Sequence, residues 1–274
     1  GAGSERENRT APVAVTGSMR FTALMAGQLH ACGLTAEGAT FCWGAYASGQ
    51  LGTGASADQP APARAAVNLT LKLLALGGDV NTCGLDAAGA AYCWGNNSFG
   101  QLGNGVKSNA AQPQPVAVTG GSTFASLVLG RTFVCGLDAS GNASCWGAND
   151  AGQIGDGSTA PERLTPTRVS GTARFASLSA GDAHACGLTT DGTAWCWGSD
   201  ATGRLGDGTA GGTKSAPVAV TGGLKFTAIS AGEEFTCAIA QDRATYCWGS
   251  NRSGWLGDGT DTQRLVPTRV KKPA

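Results

Sequence analysis

The sequence predicts an all-β propeller: five repeats of four-stranded blades, with a surplus strand at the N-terminal end. Three observations predict it. The second cysteine of a repeated unit falls at 42, 93, 145, 196 and 247, so successive steps are 51, 52, 51 and 51 residues. A fixed period of this length marks an array in which each copy is one supersecondary unit. Each period breaks into short apolar or alternating runs separated by Gly-rich turns, and the chain holds 44 glycines, a pattern of short strands. No stretch sustains a 3.6-residue apolar period, so almost no helix is expected.

The elements follow in order. Gly1–Ser4 reads as an expression scar, and residues 1–10 are assigned to a tag remnant or flexible N-terminus. A single propeller domain is expected over 11–270, in repeats of about 18–67, 68–118, 119–169, 170–220 and 221–270, with 271–274 as a tail. In the first repeat an apolar run, Phe21–Met25, ends at Ala26-Gly27. His30–Leu34 and Ala39–Trp43 then form a hairpin around a turn at Thr35–Gly38, and a Pro-led strand ends at Val67. Pro-led strands end at Val15, Val67, Val118, Val169, Val220 and Val270, which is one more than the number of hairpins. The surplus strand, Ala11–Thr16, either closes the ring or belongs to a longer array.

Each hairpin has two cysteines ten positions apart: Cys32 and Cys42, Cys83 and Cys93, Cys135 and Cys145, Cys186 and Cys196, Cys237 and Cys247. Placing Cys32 opposite Cys42 also places Leu34 opposite Thr40, and period-two alternation puts these on one face. Opposed strand positions come close enough for a disulfide. Zinc is the rival, but it wants four Cys or His ligands. Only His30 and His184 exist, each beside one cysteine pair, so at most three ligands gather and no metal is expected. Even pairing of ten cysteines points to an oxidising, secreted or extracytoplasmic location. Gly38, Gly89, Gly141 and Gly192 occupy the turn position that favours a left-handed residue; Arg243 stands there in the last repeat and predicts a different or strained turn.

A second repeated signal follows each Cys-Trp-Gly: SGQLGTG at Ser48–Gly54, FGQLGNG at Phe99–Gly105, AGQIGDG at Ala151–Gly157, TGRLGDG at Thr202–Gly208 and SGWLGDG at Ser253–Gly259. These read as tight loops that tuck one Leu or Ile beneath the blade, with Asp156, Asp207 and Asp258 as turn formers. A calcium site would need several converging carboxylates, and each loop offers one.

Charge is sparse and balanced, 19 basic against 19 acidic residues, which argues against nucleic acid as a partner. No apolar run reaches the roughly 18–20 residues a membrane helix needs, so membrane insertion is not expected. With two histidines and no leftover cysteine, no nucleophile–base set assembles; no enzyme activity, catalytic residue or cofactor is expected. Two sets of positions vary while the framework repeats. After each Cys-Trp-Gly come Tyr46, Phe99, Asp150, Arg204 and Trp255; after Gly27 and its counterparts come Gln28, Asp79, Arg131, Asp182 and Glu233. Aromatic and Arg side chains are enriched at binding hot spots, so these ten form the candidate site for a protein partner. A carbohydrate-binding propeller is the alternative, and it wants an aromatic platform repeated in register, which Tyr46 and Trp255 lack. A purely structural or engineered fragment of a larger propeller is the other.

The repeated pattern, best seen at Asp182–Gly208 and Gln28–Gly54, resembles the RCC1 (regulator of chromosome condensation) repeat over nearly the whole chain. The added cysteine pair resembles the crinkly variant of plant receptor-kinase ectodomains and exported bacterial RCC1-like proteins. The resemblance implies a propeller of four-stranded blades, usually seven, whereas this chain holds five repeats. The family's founding member activates nucleotide exchange on a small GTPase and docks on chromatin. A secreted bacterial relative inhibits β-lactamases through loops on one propeller face. Of these, the second is the mode of use implied here: a non-enzymatic exported module that recognises a protein through one face.

Overall fold

A computed structural model describes residues 10–66, 68–78 and 80–271. Its strands form five separate four-stranded sheets, each an antiparallel meander in chain order. Blade 1 is β1 (Ala23–Ala26), β2 (His30–Leu34), β3 (Thr40–Gly44) and β4 (Gln59–Ala65). Blade 2 is β5 (Leu73–Gly77), β6 (Asn81–Leu85), β7 (Ala91–Asn97) and β8 (Ser108–Ala117). Blade 3 is β9 (Ser126–Leu129), β10 (Phe133–Leu137), β11 (Ala143–Ala148) and β12 (Glu162–Arg168). Blade 4 is β13 (Phe175–Ala180), β14 (His184–Thr189), β15 (Ala194–Ser199) and β16 (Thr213–Ala219). Blade 5 is β17 (Phe226–Ala231), β18 (Phe235–Ala240), β19 (Thr245–Gly249) and β20 (Arg264–Arg269). The one helical turn among the described residues is Arg252–Gly254, so no helix there can cross a membrane.

The hairpin register is the one alternation demands: Cys32 faces Cys42 and Leu34 faces Thr40. All five cysteine pairs are disulfides with Cα atoms 4.1 Å apart. Just past each second cysteine the register to the outer strand slips, between Cys42 and Gly44 and at the same place in every blade. The slipped residue is the Trp of Cys-Trp-Gly, and a bulge re-aims the side chain it carries. The Gly after it takes φ 111° in blade 1, where a Cβ would sit 2.5 Å from the Leu29 carbonyl oxygen. Only Gly fits.

The re-aimed indole builds the core, which lies between blades. Trp94, Trp146, Trp197 and Trp248 are fully buried. Trp94 packs with Cys32, Cys42, Leu34 and Leu51 of the preceding blade, and Trp197 with Cys135, Cys145, Leu137 and Ile154. Gly52, Gly103, Gly155 and Gly206 form the floor beneath these rings; a Cβ there would lie 2.5–2.7 Å from the indole nitrogen of Trp94, Trp146, Trp197 and Trp248 respectively. Three indoles donate backward across the seam, to the carbonyls of Gln50, Gln101 and Gln153 at 2.9, 3.1 and 3.0 Å. Trp248 has no acceptor among the described residues. Each buried indole removes about 200 Å² from water, an upper bound of about 5 kcal/mol.

The N-terminal strand expected at 11–16 does not form. Those residues join no sheet, and Val13 and Val15 remain 52 % and 40 % exposed. A Pro-led strand needs a Cys-Trp-Gly strand to pair with, and each such strand already holds its own outer partner.

Candidate functional site

In an antiparallel meander the first-to-second and third-to-fourth strand connections leave from the same end. The loops after Gly27 and after Gly44, and their counterparts, therefore share one face, here called the loop face. Ala26–Gln28, Leu76–Gly78, Leu129, Arg131, Asp182 and Glu233 line a central depression of about 490 Å³ on the axis. Four of the predicted positions, Gln28, Arg131, Asp182 and Glu233, thus come together from four blades. Asp79 lies outside the described residues. The Gln28 amide reaches the Glu233 carboxylate at 3.5 Å, and the Arg131 backbone N–H donates to the Asp182 carbonyl at 3.2 Å.

The other predicted set separates. Phe99 and Trp255 are 43 % and 45 % exposed, Trp255 leaning on Phe235 with centroids 6.1 Å apart, and Asp150 is exposed. Tyr46 is half-buried against the core between blades 1 and 2. Arg204 is buried, at 5 %. Its position explains why: it aligns with Gln50, Gln101 and Gln153, whose side-chain oxygens accept the N–H groups of Ser48, Phe99 and Ala151 at 2.8, 2.9 and 2.8 Å. A guanidinium has no acceptor, so Arg204 turns to the next blade instead, donating to the Glu233 carbonyl at 3.1 Å and lying 3.9 Å from the Glu234 carboxylate. Burial lowers its pKa, against the pull of Glu234, Asp182 and Asp200.

Both histidines clamp neighbouring blades. His30 Nε2 lies 2.8 Å from Thr82 Oγ1, and His184 Nε2 3.0 Å from Thr236 Oγ1. Each threonine spends its single proton on a carbonyl, Gln50 at 2.9 Å and Arg204 at 2.9 Å. The imidazole Nε2 must therefore be the donor, which fixes the tautomer. Burial, with Arg204 adding to it, pushes the His184 pKa down to about 3, so this ring is neutral at physiological pH.

Sequence reasoning missed one repeated polar residue. Two positions after each Cys-Trp-Gly glycine stand Asn97, Asn149, Asp200 and Asn251, all buried. Their Oδ1 atoms accept the N–H of Leu102, Ile154, Leu205 and Leu256 at 3.1, 3.1, 3.3 and 2.9 Å, which draws that apolar residue under the blade. The signal was available as an in-register Asn/Asp column, masked in blade 1 by Tyr46. The loop aspartates close turns: Asp156, Asp207 and Asp258 accept the N–H two residues on at 2.9, 2.8 and 2.9 Å. Arg163, Lys214 and Arg264 pair with them. The Asp258 carboxyl is held well below its usual range, first by the Thr260 hydroxyl and also by Arg264 and Asn251.

The opposite face has two hollows at equivalent places. One, of about 710 Å³, includes Phe41, Thr35, Glu37 and Ala39; the other, of about 420 Å³, includes Trp195, Thr189, Asp191 and Thr193. Each therefore combines an aromatic ring with a carboxylate and a hydroxyl.

Five disulfide-stapled blades around an axial depression define a propeller domain with its variable loops gathered on one face. The chain belongs to the RCC1-like domain family, whose model matches residues 1–274. It is 28 % identical over 259 residues to the ultraviolet-B receptor UVR8 of Arabidopsis thaliana, spanning 90 % of this chain and 57 % of that protein. The fold is similar to that of Prp20p from Saccharomyces cerevisiae, whose structure is described with its binding to Gsp1p and histones; the TM-score is 0.81 at 22 % identity, over 92 % of this chain and 64 % of that one. The receptor-kinase CR4 ectodomain of Physcomitrella patens aligns with TM-score 0.56 and 26 % identity, over 84 % of this chain and 52 % of the other. The chain thus spans little more than half the length of the plant receptor it matches.

Proposed function

We propose that this chain is a non-enzymatic binding module of an oxidising, extracytoplasmic compartment and takes a protein partner on its loop face. The observation that carries the reading is the convergence of Gln28, Arg131, Asp182 and Glu233 around one depression on the same end as the exposed rings of Phe99 and Trp255. Rigid blades hold these side chains still, and aromatic anchors beside an Arg are the composition of a hot spot. Ten cysteines joined in five disulfides support the compartment. The test is capture of a partner by the immobilised domain, followed by affinity measurement on a variant carrying Phe99→Ala, Trp255→Ala and Arg131→Ala. Affinity should fall about a thousandfold, two hot-spot residues' worth. Unchanged affinity removes this face as the site.

A second reading has its own support. The paired hollows at Phe41 and Trp195 offer the aromatic platform and polar partners a saccharide needs, repeated in register. A glycan array probed with the domain and with Trp195→Ala decides it: hits lost in the variant favour the reading, and no hits remove it.

A further inference from the structure

The chain is neutral overall, yet its charges are not spread evenly between the two faces. In each meander the second-to-third strand turn, and the link into the next blade, leave from the face opposite the loop face. Among the described residues, the strand ends, turns and links of that face carry eight basic residues against five acidic ones. The strand ends and loops of the loop face carry seven basic against eleven acidic. A five-residue strand spans about 16 Å, twice the Debye length of about 8 Å at physiological salt. The excess on one face therefore does not cancel the excess on the other at contact range.

The basic residues fall in register. Arg20, Arg174 and Lys225 stand immediately ahead of Phe21, Phe175 and Phe226, and Lys72 immediately follows Leu71. Arg64, Arg168 and Arg269, at the far ends of the outer strands, pair with Phe41, Ser144 and Tyr246, the residues before the second cysteine. Arg243 stands in the turn of blade 5. The acids of this face are committed elsewhere: Asp86, Asp138 and Asp242 close hairpin turns by accepting the N–H two residues on at 2.9, 2.8 and 2.9 Å. Arg20, Arg64, Arg174, Arg243 and Arg269, by contrast, are exposed and have no side-chain hydrogen bond or ion pair among the described residues.

The hollow at Trp195, in the middle of the array, opens among these cations. Its lining joins the Trp195 ring and Pro217 to Thr172, Thr193 and Asp191. Arg168 and Arg174 bracket the lining segment Ser170–Ala173 in the chain. Lys225 Nζ lies 2.5 Å from both the Asp191 carboxylate and the Thr193 hydroxyl. The counterpart at Phe41 has Arg20 and Arg64 in its own lining. An aromatic ring stacks on a sugar, Thr and Asp oxygens accept from its hydroxyls, and unpaired guanidinium groups fork onto an acidic group.

We propose that the face opposite the loop face binds an acidic polysaccharide, with a sugar ring at the Trp195 hollow and its carboxylates or sulfates on Arg168, Arg174 and their in-register counterparts. This rests on the saccharide reading above and narrows it from sugars in general to anionic ones. Nucleic acid fits less well, because a phosphodiester backbone has no donor to offer Asp191.

The experiment is fluorescence polarisation with labelled polygalacturonate and heparin oligosaccharides, each beside its neutralised form (methyl-esterified, or desulfated and carboxyl-reduced), and a single-stranded DNA of matched charge. The proteins are the wild type and Arg174→Gln; Arg174 has no partner to lose, so the variant should keep the wild-type thermal midpoint. The wild type should bind at least one acidic saccharide, more tightly than the DNA, and more weakly as salt rises. Which of the two it prefers separates carboxylate from sulfate recognition. The neutralised form of that saccharide, and the variant with the acidic form, should each bind at least about tenfold more weakly, the loss of one charge-assisted contact. Equal binding of acidic and neutralised forms overturns the proposal and leaves the saccharide reading standing, whereas no binding to any saccharide removes both. DNA bound as tightly as the acidic saccharides, or full affinity in Arg174→Gln, also overturns it.

Discussion

The middle of the array and its two ends use the same residues in different surroundings. Trp43 and Trp197 stand at the same bulge after the same disulfide, yet Trp197 is fully buried and Trp43 is not. Leu188 and Ile239 share a register position and differ in exposure, 3 % against 42 %. The local sequence builds the blade; the neighbour decides how much the blade's core residues contribute. In a stacked array, stability is close to a sum of unit and seam contributions, so matched substitutions at an end and in the middle measure the seam directly.

The largest expected effect is on the indole. Trp197→Ala should cost about 3–5 kcal/mol, since it empties a closed cavity, while Trp43→Ala should cost only about 1–2 kcal/mol. Urea unfolding of both variants checks the contrast; equal losses would break the view that burial between blades sets the difference. Next comes the disulfide. Replacing Cys186 and Cys196 together by Ala should cost about 2.5–3 kcal/mol from the loop-closure entropy of so short a loop, plus a cavity contribution because both are fully buried. Replacing Cys237 and Cys247 by Ala shares the first cost, with less of the second, because Cys237 is only partly buried. The difference between the two double variants isolates the packing.

His184 offers a smaller and pH-dependent comparison. Its ordinary value is 6.5 and its folded value about 3, so between those limits the unfolded chain binds the proton and the folded chain does not. The stability contributed by the neutral ring is complete above about pH 6.5 and is lost as pH falls through that window, by about 1.4 kcal/mol per pH unit for one proton. From pH 6.5 to 5 the loss is about 2 kcal/mol by the same slope, before most carboxylates titrate. His184→Phe puts at this position the residue that Phe133 and Phe235 already place there in blades 3 and 5. It should flatten the urea midpoint over that range; an unchanged slope would assign the pH dependence elsewhere.

How much of this was legible in the sequence depends on whether a residue acts within its blade or across a seam. Cys32 opposite Cys42, the almost complete absence of helix and the loop after Cys-Trp-Gly follow from period and alternation alone, because their partners lie within a dozen residues. The convergence of Gln28, Arg131, Asp182 and Glu233 was readable as a set, since equivalent loops of a ring share one end, although their spacing was not. Arg204 was not readable as buried. Its column alternates Gln, Arg and Trp, and only the carbonyl of Glu233 in the next blade gives the guanidinium a reason to turn inward. The unpaired strand at 11–16 misled for the same reason: strand chemistry is local, but a strand needs a free edge.

The smallest expected effect concerns the hairpin turn of blade 5. Gly38, Gly89, Gly141 and Gly192 hold φ between 77° and 85°, and Arg243 keeps the same left-handed turn at φ 65°. The hydrogen bonds are the same as well: Gly38 N–H to the Thr35 carbonyl at 3.0 Å, Arg243 N–H to the Ala240 carbonyl at 2.9 Å. The expected different turn is therefore absent, and the departure from Gly is carried as backbone strain, about 1–2 kcal/mol for an L-residue in this region. Arg243→Gly relieves that strain and regains entropy in the unfolded chain, so the net gain is smaller, about 0.5–1 kcal/mol. Thermal unfolding of the variant should give a higher midpoint, while Gly192→Arg, the reverse change in blade 4, should lower it. If Arg243→Gly were neutral while Gly192→Arg stayed costly, the left-handed conformation would carry no cost, and the glycine column would reflect the close approach of the next segment instead. That alternative has its own mark, because a Cβ at Gly192 would come within 2.8 Å of the Phe226 carbonyl oxygen. Among the described residues no further sheet follows blade 5, and it is there that an Arg stands in the glycine column.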